Sequence, residues 1–313
     1  MKILFLLPFV LALAACTKKE TANQTNAKVV ATTGMIADVA REISGGKIEV
    51  INLIGEGIDP HSYQPGQSEV DEIKSAGLVL FNGLYLEGKM GSVLEARRKK
   101  GHLTSAVAEG LEGMELIGGG DHPDPHLWMD VSLWSKVAGQ ITRELSAFDP
   151  ANASTYEENL QAYLEKLTAL DDYAREVFPT IPEDQRSLVT AHDAFSYLGR
   201  AYGIEVRGIQ GISTESEAGT KDINDLVDDL VDKKIPAIFV ESSVSDKSVQ
   251  AVIEGAAQQG HTVTIGGKLF SDAMGAPGSY EGTYLGMMDH NITTIVRSLG
   301  GSAPAKGFQG KLR

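Results

Sequence analysis

A chain of 313 residues, 42% hydrophobic and 22% charged, can bury a large core and is long enough for two domains of ordinary size. Its formal net charge is −14, and the first fifteen residues hold one Lys and no acid, so the remainder is an acidic body that repels nucleic acid and attracts cations. Cys16 is the only cysteine, which excludes an internal disulfide and leaves nitrogen and oxygen to build any metal site.

Met1 and Lys2 give a short basic start, followed by an apolar run over residues 3–13 that is too short to span a bilayer as a helix and fits a secretory signal core. Leu13-Ala14-Ala15-Cys16 looks like a bacterial lipobox, implying a signal peptide over residues 1–15, cleavage before Cys16 and diacylation of its thiol; the duller alternative is a plain signal peptide with an accidental cysteine. Residues 16–27, rich in Thr, Asn, Lys and Gln, carry no hydrophobic period and read as a flexible tether.

From residue 28 strands and helices alternate. Strands are predicted over 29–33, 48–54 and 78–82, with helices over 34–43, 68–75 and 86–98, which argues for an N-terminal α/β lobe with a mainly parallel sheet over residues 28–149. A helix over 132–147 closes it. The most regular segment runs from 154 to 178, with Leu160, Tyr163, Leu164, Leu167, Leu170, Ala174 and Val177 on one face. At 1.5 Å per residue it would be about 37 Å long, more than one lobe needs, so residues 150–179 are read as a connecting helix. A second series follows over 180–313: strands at 187–191, 204–209, 236–241 and 261–266, and helices at 193–202, 222–233, 247–259 and 283–299. Thr214 to Glu217 has the form of a capping box opening a short helical turn.

Ligands of open α/β sheets bind beyond the carboxyl ends of the strands. His61, His126, His192, Glu241 and Asp272 all fall at or just past such an end, two from the first half and three from the second. Facing lobes would therefore line a cleft with imidazole and carboxylate, an environment suited to a borderline transition metal. Two of the histidines stand in the same word, Asp59-Pro60-His61 and Asp124-Pro125-His126, in which proline stiffens the approach to the ring. Any one loop histidine has a bland reading as a solvated or hydrogen-bonded group. His102, His261 and His290 keep that reading, and Pro123 and Pro125 prevent a helical pairing of His122 with His126. Glu241 could ligate directly, stand behind a ligand, or complement a helix N-terminus; Asp193 is a further candidate to stand behind a ligand.

The lipobox, Asp-Pro-His at 59–61, Asp-Pro-His-Leu-Trp-Met-Asp at 124–130, Thr-Ala-His-Asp-Ala-Phe-Ser-Tyr-Leu at 190–198, Gly-Ile-Ser-Thr-Glu-Ser-Glu-Ala-Gly at 211–219 and Gly-Gly-Lys-Leu-Phe-Ser-Asp at 266–272 together resemble the TroA-type lipoproteins, the cluster A-I substrate-binding proteins of ABC importers for zinc and manganese. The resemblance covers nearly the whole mature chain. It implies two α/β lobes joined by one long helix and a single Zn²⁺ or Mn²⁺ between them, with Fe²⁺ tolerable, held by His61, His126, His192 and Asp272. It also implies a membrane permease with its cytoplasmic ATPase as partners, an extracytoplasmic body anchored through Cys16, no nucleic acid and a monomeric state. Zinc-dedicated members often carry a long histidine-rich loop where this chain has only Gly118-Gly119-Gly120-Asp121-His122, and manganese-type members often have Glu where it has His192. Because imidazole coordinates only when neutral, affinity is expected to fall below about pH 6.5. A surface adhesin and, further off, a zinc hydrolase are the other classes; the chain lacks a His-Glu-x-x-His helix.

Overall fold

The computed structural model describes residues 28–111, 115–118 and 123–313. The predicted leader, the tether, Cys16 and His122 lie outside the described residues. Val29, Val30 and Ala31 are fully buried in strand β1 (Lys28–Ala31), as a strand covered on both faces must be. It sits inside a parallel sheet of order β2-β1-β3-β4, with β2 at Glu49–Asn52, β3 at Leu78–Phe81 and β4 at Thr104–Ala106. Helices α1 (Gly34–Ser44), α2 (Gln67–Ser75) and α3 (Gly91–Lys99) make the crossovers. Gly45 stops α1 in the left-handed region, at φ 56°, a conformation that costs a residue with a Cβ.

Asp130, the last residue of the second Asp-Pro-His word's extension, caps α4 (Val131–Phe148) by accepting the N–H groups of Ser132 and Leu133. Helix α5 (Ala153–Val177) follows with 25 residues and buries Tyr156, Leu160, Tyr163, Leu167, Leu170, Tyr173, Ala174 and Val177. Its first half is tied to α1 by Asn159 Nδ2 donating to the Ile43 carbonyl (2.8 Å), and its second half to α9 (Tyr284–Ser298) by the Tyr173–Thr293 hydroxyl pair (2.8 Å). One hydrophobic core runs from β1 and α1 through α4 and α5 to α9.

The second half holds two parallel pairs, β5 (Ser187–His192) with β6 (Glu205–Gln210) and β7 (Ala237–Glu241) with β8 (Thr264–Leu269), and β5 lies against β7. Helices α6 (Ser196–Tyr202), α7 (Thr220–Asp232) and α8 (Lys247–Gln258) connect them.

Four local expectations fail for identifiable reasons. Strand β4 was not foreseen because Thr104-Ser105-Ala106 lacks a hydrophobic signal and gains its place by pairing with β3. Helix α6 starts at Ser196 rather than 193, because Asp193 accepts the Ser196 hydroxyl (2.7 Å) in a turn ahead of it. Strand β8 begins three residues late, since the His261 ring is bonded to the Ile235 carbonyl (2.8 Å) outside the ladder. The Thr214–Glu217 box opens no helix: the Thr214 hydroxyl donates instead to Asp59 Oδ2 (2.6 Å), in the other half of the chain, and α7 starts after Gly219.

Candidate metal centre

His61 lies in the loop after β2, His126 in the loop that leads into α4, His192 at the last position of β5, and Asp272 in the loop after β8. All four side chains are buried, and one ligand atom from each falls within 4.8 Å of every other. The spacing is diagnostic. His61 Nε2 is 3.3 Å from His126 Nε2, His126 Nε2 is 3.3 Å from Asp272 Oδ1, His192 Nε2 is 3.2 Å from Asp272 Oδ2, and His61 Nε2 is 3.8 Å from the same oxygen. Ligand atoms at about 2.0–2.1 Å from a tetrahedral ion stand about 3.3–3.4 Å apart. His192 Nε2 and both Asp272 oxygens have no hydrogen-bond partner although they are buried and close together. A cation shared between them would satisfy the ring nitrogen and the carboxylate oxygens together. Because Asp272 turns Oδ1 toward one imidazole and Oδ2 toward two others, either one or both oxygens could coordinate, giving four or five ligand atoms.

The rings are aimed from behind. Asp124 Oδ1 lies 2.7 Å from His126 Nδ1, and Glu241 Oε2 lies 2.5 Å from His192 Nδ1, so in each case Nδ1–H donates to a carboxylate and Nε2 is the nitrogen that could hold a metal. Glu241 also accepts the His192 backbone N–H (2.8 Å). Both oxygens of Glu241 thus lie against His192, on the far side of its ring from Nε2. Asp193 is spent on Ser196 and acts on His126 and His192 as a nearby charge, not as a hydrogen-bond partner.

Asp124 was missed as a partner, yet its signal was in the repeated word. Asp59 and Asp124 each accept the backbone N–H of the histidine two residues on, both at 2.9 Å, the turn that Asp favours locally. The second copy alone also has its carboxylate on the ring. Trp128, two residues past His126, supports the site as well. Its ring stands edge-on to His126 with centroids 5.2 Å apart, and its Nε1 donates to the Ser271 carbonyl (2.8 Å), which fixes the loop carrying Asp272. Asn82 Nδ2 holds the Pro125 carbonyl (3.1 Å), and the buried Glu87 carboxylate in turn accepts the Asn82 and Gly83 N–H groups and the Thr32 hydroxyl. Gly208 on β6 is needed for space. A Cβ there would come within 2.3 Å of the Asp193 nitrogen and 2.6 Å of the His192 carbonyl carbon.

Burial lowers the His61 pKa to about 4 despite the nearby Asp272 carboxylate. For His126 burial acts in the same direction, but the Asp272 and Asp124 carboxylates outweigh it and hold the ring at about 9. His192 likewise loses by burial and gains more from Glu241 and Asp272, ending well above the usual histidine value. Burial pushes Asp272 up, and His192 and His126 pull it well below the carboxylate range. The site is built to hold positive charge.

Removing either supporting carboxylate should loosen the ring it aims. Glu241→Gln and Asp124→Asn are each expected to weaken divalent-metal binding by about 10–100-fold while the protein stays folded, read by competition against a chelator of known affinity. Unchanged affinity in both variants would remove the aiming role.

Comparison with known proteins places the geometry in context. Residues 29–298 match the family model described as "Zinc-uptake complex component A periplasmic". The chain is 47% identical over 274 residues to the manganese-binding lipoprotein MntA of Bacillus subtilis, covering 87% of this chain and 89% of that protein. It is 43% identical over 282 residues to the zinc-binding protein TroA of Treponema pallidum, covering 90% and 91%. The solved structure of that periplasmic zinc-binding protein superposes with a TM-score of 0.85, covering 88% of this chain and 99% of the other. Fe(III)-bound YtgA of Chlamydia trachomatis superposes with a TM-score of 0.80 at 26% identity, covering 88% and 98%.

Proposed function

Because the chain belongs to the family of periplasmic zinc-uptake components A, we propose that it captures one divalent transition metal, Zn²⁺ or Mn²⁺, and hands it unchanged to a membrane permease. It is the substrate-binding component of a metal ABC importer and not an enzyme. His61, His126, His192 and Asp272 are its ligands. The observation that carries this assignment is the buried, unpartnered His192 Nε2 and Asp272 carboxylate, with the carboxylate oxygens 3.2 to 3.8 Å from the Nε2 atoms of His61, His126 and His192. The metal lies between an N-terminal lobe of residues 28–149 and a C-terminal lobe of 180–313, joined through the helix within 150–179. Support for that division comes from the ligands, two from each side of α5. Cys16 carries the lipid, as the lipoprotein names of relatives suggest, and the body works as a monomer outside the cytoplasm beside its permease and ATPase.

Three imidazoles and a carboxylate bind Zn²⁺ more tightly than Mn²⁺ at equilibrium, while a bidentate Asp272 raises the coordination number toward what Mn²⁺ accepts. Relatives are named for both ions. Protein purified from cells grown with zinc, manganese and iron together should retain close to one equivalent of metal in total, and His192→Ala should retain none. Metal retained equally by the variant would overturn the ligand assignment; hydrolysis of a model ester by the loaded protein would overturn the transport reading.

A further inference from the structure

In the N-terminal sheet the parallel strands all start at one edge and end at the other. His61 lies past the ends. At the starting edge stand Lys28, where the tether enters the fold, and the three turns that follow α1, α2 and α3. The ends of α2 and α3 bring Lys74, Arg97, Lys100 and His102 around one slot, with Arg98 and Lys99 beside them in sequence and Lys47 in the turn after α1, in a chain whose formal net charge is −14. Lys47, Lys74, Arg98, Lys99, Lys100 and His102 are exposed. Acids stand among them: Glu42 near the end of α1 pairs with Lys166 (2.8 Å), and Glu144 accepts the Ser105 hydroxyl (2.9 Å) in a pocket shared with Arg98 and His102. Glu72 pairs with Lys28, Asp71 with Lys74 (3.6 Å), Glu95 reaches Arg98 and Lys99 (4.0 and 3.8 Å), and Glu49 is exposed at the start of β2. Cations at a helix C-terminus complement its dipole, and that bland role covers one or two of them, not a run that continues past the last helical turn.

Apolar surface adjoins the charge. Leu103 is 53% exposed, and a slot of about 330 Å³ between α2 and α3, lined by Val70, Ile73, Val93 and Ala96, opens beside Lys74 and Lys100. A basic rim with apolar residues behind it is the pattern of a face that rests on an anionic bilayer. The position of Lys28 makes the bilayer the favoured occupant, because only a dozen residues separate this edge from Cys16. Screening confines attraction and repulsion to the nearest charges, within about 8 Å, so the acidic remainder of the body does not cancel it.

We infer that the strand-start edge of the N-terminal sheet, centred on Arg98, Lys99 and Lys100, is a docking face for anionic phospholipid that orients the tethered protein on its membrane. This rests on the lipid anchor at Cys16 assigned above. The test uses the acylated full chain, its acylation verified by mass so that a missing anchor is distinguishable from a missing contact. In nanodiscs of phosphatidylglycerol, amide exchange over residues 95–104 should slow relative to phosphatidylcholine, and the difference should vanish in 0.5 M salt. Each neutralised cation should weaken the contact about fivefold, so Arg98→Gln, Lys99→Gln and Lys100→Gln together should weaken it about a hundredfold while metal retention is unchanged. Equal exchange on the two lipids would overturn the inference, as would protection that appears only when the permease is added, which would give the face to a protein partner.

Discussion

Asp272→Asn should lose about three orders of magnitude of divalent-metal affinity. Three of the four proposed ligands are imidazoles, neutral when they coordinate, so Asp272 would supply the one negative charge in direct contact with the ion. Leaving a buried charge without its counter-charge costs about 3–5 kcal/mol, which corresponds to roughly 10²–10⁴ in affinity. Asparagine preserves size and keeps the loop in place, because the loop is fixed by the Ser271 carbonyl accepting Trp128 Nε1 and not by the Asp272 side chain. Chelator competition measures the loss directly, and a variant within tenfold of the parent would show that Asp272 is not a ligand. In the metal-free variant His126 and His192 face each other across the site without the carboxylate that favours their protonation, so both should titrate lower than in the parent.

The second expectation concerns protons. Without metal, Asp272 and its neighbours hold His126 at about 9 and His192 well above the ordinary histidine value, so both rings carry a proton at pH 7 that must leave before Nε2 can coordinate. His61, lowered to about 4, needs no such exchange. Binding at neutral pH should therefore release about two protons, and affinity should fall by about a hundredfold per pH unit on acidification, a decade for each proton. The dependence begins on the alkaline side, near the His126 value, and not at about 6.5 as unperturbed histidines would have it. Calorimetric titration at pH 7 in buffers of different ionisation enthalpy counts the protons. Zero released, together with a flat Kd between pH 6.5 and 7.5, would refute it. The sign reverses for the metal-free fold. A raised folded-state pKa contributes stability that is complete below the unfolded value near 6.5 and lost as pH rises through about 9, so alkali should weaken the empty protein while it strengthens binding.

Much of this could be read from residues alone because the signals were local. Continuous apolar runs such as Val29-Val30-Ala31 and the apolar face from Leu160 to Val177 announce elements by their own pattern, and strand ends then mark where His61, His126, His192 and Asp272 gather. What escaped was set by partners distant in sequence. Thr104-Ser105-Ala106 is a strand only because β3 is beside it, and Thr214 takes Asp59 in place of a helix N-terminus. Asp124 and Asp193 are both acids beside a histidine in sequence, and nothing in that adjacency tells that one reaches a ring nitrogen while the other turns to a serine. Gly208 is silent in sequence, because its demand comes from the backbone of β5.

Helix α5 has a consequence for how cargo leaves. With α1 fastened to its first half and α9 to its second, the two sides cannot swing apart like a jaw without tearing a continuous apolar interior. Discharge is therefore expected to be a small-scale event, with the Trp128 bond to the Asp272 segment and the Thr214 bond to Asp59 as the contacts to break.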